Sequence, residues 1–145
     1  MKIDVFIMET VKGHFDLKID NVKTAVKTVV NNENKPVKGN INVIFCDNEK
    51  IVELNKQFFN KDRPTDVIAF SYDEDEPDEV TGEIYISVDQ ALLQFSDFNS
   101  TLHDELMRLV IHGALHLCGY EDSGKELKKV MTKKENYYLK STVTD

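Results

Sequence analysis

Apolar side chains recur along this chain with two periods, and the switches between them predict its elements. Ile3, Val5 and Ile7 alternate with Asp4 and Phe6, the period of a strand. Val22, Ala25, Val26, Val29 and Val30 fall on one helical face, with Asp20 placed as an N-cap. That helix stops before Asn34-Lys35-Pro36, since proline disfavours helical geometry in the residue before it. Asn40 to Phe45 reads as a second strand. Ile51, Val52, Leu54 and Phe58 predict a second helix, capped by Asp47 or Asn48, which Pro64 interrupts. Val67, Ile68 and Phe70 predict a third strand; after Gly82, Ile84, Ile86 and Val88 share one face of a fourth. Asp89 is placed to cap a short helix, Ala91 to Phe95. Ser100 is placed to cap a longer one running to Cys118, where Gly119 stops it as a left-handed residue. A last helix sets Leu127, Val130, Met131 and Tyr138 inward. Strands and helices mix without strict alternation, so an α+β fold is expected: one mixed sheet of about four strands packed with about five helices.

Size and composition narrow the class. A chain of 145 residues supports one core, so a single domain over residues 1–145 is expected. It has no run of roughly 18 apolar residues that would span a membrane. Its opening, Met1-Lys2-Ile3-Asp4-Val5-Phe6, lacks the apolar run and cleavage site of a signal peptide. Cys46 and Cys118 then read as reduced thiols, and the expected location is cytoplasmic. A net charge of −8 at first opposes a nucleic-acid partner. Most of it sits in Asp73, Glu74, Asp75, Glu76, Asp78 and Glu79 around Pro77, a segment that reads as a solvated connection. Lys125, Lys128, Lys129, Lys133, Lys134 and Lys140 gather near the C-terminus. Local patches govern steering, so the total excludes no partner.

The segment that carries chemistry runs from His112 to Asp122. Residues four apart project from the same helical face, so His112 and His116 can aim ring nitrogens at one ion. Gly119 lets the chain turn back, which brings Asp122 within reach. Three protein ligands with a fourth position open is the arrangement of a catalytic zinc site, which supplies hydroxide near neutral pH. A histidine pair at this spacing is weak by itself, but these two sit in the apolar run Leu106 to Leu117, where unpaired imidazoles are costly to bury. Gly113, interior to the same helix, costs about 1 kcal/mol relative to alanine, so something is expected to pack closely there. Helical metalloproteases carry a glutamate general base at that position, and glycine there disfavours a conventional zinc protease. Glu105, two turns before His112, is a candidate to orient a ligand, or a solvated helix charge.

The stretch His112-Gly113-Ala114-Leu115-His116-Leu117-Cys118-Gly119-Tyr120 resembles the YbeY family of bacterial endoribonucleases and ribosomal RNA maturation factors. Leu54-Asn55, Lys61-Asp62, Pro64-Thr65-Asp66-Val67 and Gly82-Glu83-Ile84 resemble further family motifs, and Met131 and Glu135 fit its closing helix. The resemblance covers nearly the whole chain. It implies a single mixed α/β domain, a bound zinc ion and cleavage of single-stranded RNA. It also implies maturation of the 3′ end of 16S ribosomal RNA and ribosome quality control. Implied partners are ribosomal RNA and the small ribosomal subunit or its assembly factors.

Two departures alter those expectations. The family's third metal-binding histidine falls on Asp122, with Glu121 as the rival ligand. A carboxylate there retains Zn²⁺ but makes bound water less acidic and admits harder ions such as Mn²⁺. The family's usual arginine falls on Phe59, leaving Arg63 or Lys61 as candidates to engage phosphate. Thr65 and Asp66 are expected to line the cleft; Asp66 and Glu105 are the candidate general bases. Cys118 points off the ligand face. Lys125, Lys129 and Lys133 form a stripe, either a phosphate contact or a solvated face; His14 and His103 receive no role. Two rivals to the nuclease are a non-catalytic ribosome-assembly factor with a structural metal, closed by a fourth protein ligand, and a metallohydrolase of another substrate.

Overall fold

The computed structural model describes residues 2–33, 35, 37–72 and 80–142. Its strands are β1 (Lys2–Ile7), β2 (Val37–Cys46), β3 (Val67–Ser71) and β4 (Val80–Ser87). Its helices are α1 (Ile19–Asn32), α2 (Asn48–Phe59), α3 (Val88–Gln94), α4 (Leu102–Leu117) and α5 (Lys125–Thr142). The strands form one mixed sheet in the order β1-β2-β4-β3, parallel except for the β3–β4 pair. This is the α+β architecture expected from the sequence.

Strand alternation sorts the apolar residues onto two faces. Ile41, Val43 and Phe45 of β2 and Ile84 and Ile86 of β4 join the main core beneath α1 and α4. Cys46, with Ile44 and Tyr85, faces the smaller cluster under α2, where Ile51, Leu54 and Ile68 lie. Helix α4 lies across β3 and β4 at close range. A Cβ at Gly113 would stand 2.4 Å from Ile84 Cγ2, and one at Gly82 would stand 2.1 Å from the Phe70 carbonyl oxygen. The interior glycine of α4 is therefore a contact point with the sheet, as its cost in a helix implied.

Several boundaries differ from the sequence reading. Asp20 does not cap α1; the helix opens at Ile19 with no side-chain cap, and Asp20 lies in its first turn, where a negative charge suits the helix dipole. Asp47 caps α2, accepting from Lys50 N at 2.9 Å. Ser87, not Asp89, caps α3, because β4 runs directly into the helix and Val88 becomes its first residue. Asp89 instead accepts from Asn48 N at 2.8 Å. Thr101, not Ser100, caps α4 by accepting from Asp104 N. On α5 a narrow stripe, Met131, Glu135 and Tyr138, is buried, with Leu139 half-buried against the core; Leu127 and Val130 fall outside it and are exposed. The acidic segment 73–79, and Asn34 and Pro36, lie outside the described residues. Cys46 and Cys118 are free and buried, and burial pushes both thiols up to about 12. Among the described residues, no helix is long and apolar enough to cross a membrane.

Candidate metal centre

Helix α4 winds His112 and His116 onto one face, and their Nε2 atoms stand 2.9 Å apart. The helix then ends in paired reverse bonds, Gly119 N to His116 O and Tyr120 N to Leu115 O. Gly119 has φ +102°, the left-handed conformation this ending requires. The reversed chain brings Asp122 back, with its carboxylate oxygens 3.3 Å from His112 Nε2 and 3.8 Å from His116 Nε2. Among the described residues these three side chains form a group able to hold a metal ion. Glu121 lines the same cleft but does not join that group.

The chemistry of the donor set fits a divalent cation. Glu135 on α5 accepts from His112 Nδ1 at 2.6 Å, so a neutral His112 presents a bare Nε2 lone pair to the cleft. Arg108 lies 3.3 Å from the other oxygen of Glu135 and donates to Asn136 at 2.9 Å. Burial lowers the pKa of His112, but the hydrogen bond and charge of Glu135, with the charges of Asp122 and Asp66, together hold the imidazole above its ordinary range. His116 is held low by burial and by its neighbour His112. Two imidazole nitrogens and a carboxylate suit zinc and manganese alike.

A cleft of about 800 Å³ opens in front of this group. Its opposite wall is the loop after α2, bringing Lys61, Arg63, Thr65 and Asp66 to face the histidines, with Phe59 at the helix end. Asn55, nearly buried on α2, fixes that loop: its side-chain amide donates to Arg63 O at 2.8 Å, and its carbonyl accepts from Lys61 N. Behind the wall, Gln94 Nε2 donates to Asp66 at 3.0 Å and to Glu105 at 2.7 Å. Glu105 is buried, does not line this cleft, and its Oε1 has no hydrogen-bond partner among the described residues. Burial pushes its carboxyl up. Cys118 belongs to the core, and Lys125, Lys129 and Lys133 line a separate shallow surface.

Sequence reasoning passed over three supporting residues. Glu135 was visible only as part of the closing helix, and Gln94 and Arg108 carried no spacing signal. Their contacts cross between separate elements of the chain.

A mixed sheet backing a helix that presents His-x-x-x-His, with a third donor returned by the following turn, defines an α+β protein with a candidate metal centre in an open cleft. Comparison with known proteins gives the family. Residues 8–143 match the family model described as Endoribonuclease YbeY. The Endoribonuclease YbeY of Flavobacterium psychrophilum is 43% identical over 115 residues, covering 79% of this chain and 80% of that protein. That of Chlorobaculum parvum is 42% identical over 115 residues, covering 79% of each. The solution structure of TM1509 from Thermotoga maritima superposes with a TM-score of 0.65 at 35% identity, covering 97% of this chain and 88% of that one. The chain belongs to the endoribonuclease YbeY family.

Proposed function

We propose that this protein is a metal-dependent endoribonuclease that cuts single-stranded RNA. We place it in the cytoplasm, in maturation of the 3′ end of 16S ribosomal RNA and in ribosome quality control. Its partners would be ribosomal RNA and the small subunit or its assembly factors. The observation that carries the reading is the convergence of His112, His116 and Asp122 at 2.9–3.8 Å on a cleft whose other wall presents Lys61 and Arg63. These three residues would hold Zn²⁺, or Mn²⁺ given the harder carboxylate. When bound there, a divalent cation supplies Lewis acidity toward water and phosphoryl oxygen.

The chain's own groups do the rest. Lys61, Arg63 and the Thr65 hydroxyl receive the phosphate backbone. Asp66, its carboxylate oriented by Gln94, takes the proton of the attacking water. Glu105 would serve Asp66 through Gln94, since that amide donates to both carboxylates. A structural metal in an assembly factor is less well supported, because no fourth donor joins the group among the described residues. Metal content and RNA cleavage measured together test the reading, on nuclease-free wild type and His116→Ala. The variant should lose most of its metal and cleave at least about a hundredfold more slowly. Unchanged cleavage would exclude the mechanism, and bound metal without turnover in the wild type would favour the assembly factor.

A further inference from the structure

Phe59 ends α2 at the edge of the cleft, and Asn60 follows it in the left-handed conformation at φ 55°. A phenylalanine that served only the core would be covered, yet this side chain is 47% exposed. Its ring is nonetheless fixed from behind. It lies at an interplanar angle of 13° to Phe70, with centroids 6.0 Å apart, and Phe70 is braced edge-on by Tyr85 and Phe58. The cleft therefore contains an aromatic surface that is preorganised and open to water. Lys61 and Arg63 follow in the same loop, and among the described residues neither forms an ion pair. A braced aromatic ring beside unpaired cations is the pairing that grips single-stranded nucleic acid: charge follows the backbone, and the ring takes a base face.

Resting on the endoribonuclease reading, we propose that Phe59 is the stacking platform for an unpaired nucleobase of the RNA, next to the scissile phosphate. In a duplex both faces of every base are occupied by neighbours; only a single strand can offer one to Phe59. A preference for single strands then has a physical source in this side chain. A ring at this position puts part of the grip on stacking and not on phosphate charge. Binding should accordingly depend less on salt than a purely ionic grip would.

The chain contains no tryptophan, so Phe59→Trp installs a single indole reporter. The metal-loaded protein is titrated with a cleavage-resistant single-stranded oligoribonucleotide, with its abasic counterpart and with a duplex of equal length. The single strand should quench the indole saturably; the abasic strand and the duplex should not. By anisotropy, Phe59→Ala should bind the single strand about tenfold more weakly and the abasic strand unchanged. Phe6→Ala is the control: that ring, on β1, is 52% exposed and does not line the cleft, so affinity should hold. The proposal is overturned if Phe59→Ala binds the single strand as tightly as wild type, or if the strand saturates Phe59→Trp without quenching. If wild type binds no single strand at all, the endoribonuclease reading fails and takes this proposal with it.

Discussion

A carboxylate can only accept a hydrogen bond, so the contact between Glu135 Oε2 and His112 Nδ1 at 2.6 Å places a ring proton on Nδ1. The nitrogen facing the cleft keeps its lone pair, and the ring loses its freedom to turn. Glu135→Gln preserves the volume but weakens this acceptor. It should lower affinity for zinc by roughly tenfold to a hundredfold while the protein stays folded. Competition against a chromogenic chelator measures this, and an unchanged affinity would reduce Glu135 to a packing residue. The two histidines were legible in the sequence because spacing four is a property of the helix itself. Asp122 was legible because Gly119 announces where the helix reverses. Glu135 was not, because no local rule says which residue of a helix 23 positions later arrives behind His112.

At the scale of elements, α4 approaches β4 closely at Gly113 and Ile84. Alanine is the better helix former by about 1 kcal/mol, so an isolated helix would gain from Gly113→Ala. Here the added methyl would sit 2.4 Å from Ile84 Cγ2, and the helix must lift or Ile84 must move. The variant should be less stable by about 1–3 kcal/mol in urea denaturation. A more stable variant would mean that the helix and sheet have room to spare. The tightness of this contact was readable from the cost of a mid-helix glycine, although its partner was not. Strands and helices were readable from their periods, whereas caps were misplaced by a residue or two. Asp20, Ser100 and Asp89 each have capping chemistry, and which neighbour caps depends on where the preceding chain enters. The narrow buried stripe of α5 was over-read for a related reason: hydrophobicity at Leu127 and Val130 does not reveal how little of that helix touches the body.

For the molecule as a whole, Glu33 at the end of α1 gathers what the chain spreads far apart. Tyr120, after α4, donates to it at 2.6 Å, Lys134 of α5 donates at 3.2 Å, and Tyr138 donates as well. Burial raises this carboxyl, but the hydrogen bonds from Tyr120, Tyr138 and Lys134 outweigh it and hold it below the usual range. A carboxylate with a depressed native pKa contributes stability above the ordinary carboxylate range and loses it as the pH falls through the lowered value. Glu33→Gln should therefore be less stable than wild type by about 1–3 kcal/mol at neutral pH. That difference should shrink to nothing in acid, as followed by urea titrations across pH. A gap that persists in acid would assign the effect to packing. The order of strands and the meeting of α1 with α5 at Glu33 were beyond sequence reasoning, because they are settled by long-range closure and not by any local period.

The three candidate metal donors lie within eleven consecutive positions, 112–122, while the facing wall comes from residues 59–66, held by the amide of Asn55. On the proposed reading one bank of the cleft handles the ion and the other the polymer, and they are written in separate stretches of chain. Substitutions on the 59–66 bank can therefore change the surface offered to a strand without moving the three side chains opposite. Variants confined to that bank are free to alter which strands are held while the group of His112, His116 and Asp122 keeps its place.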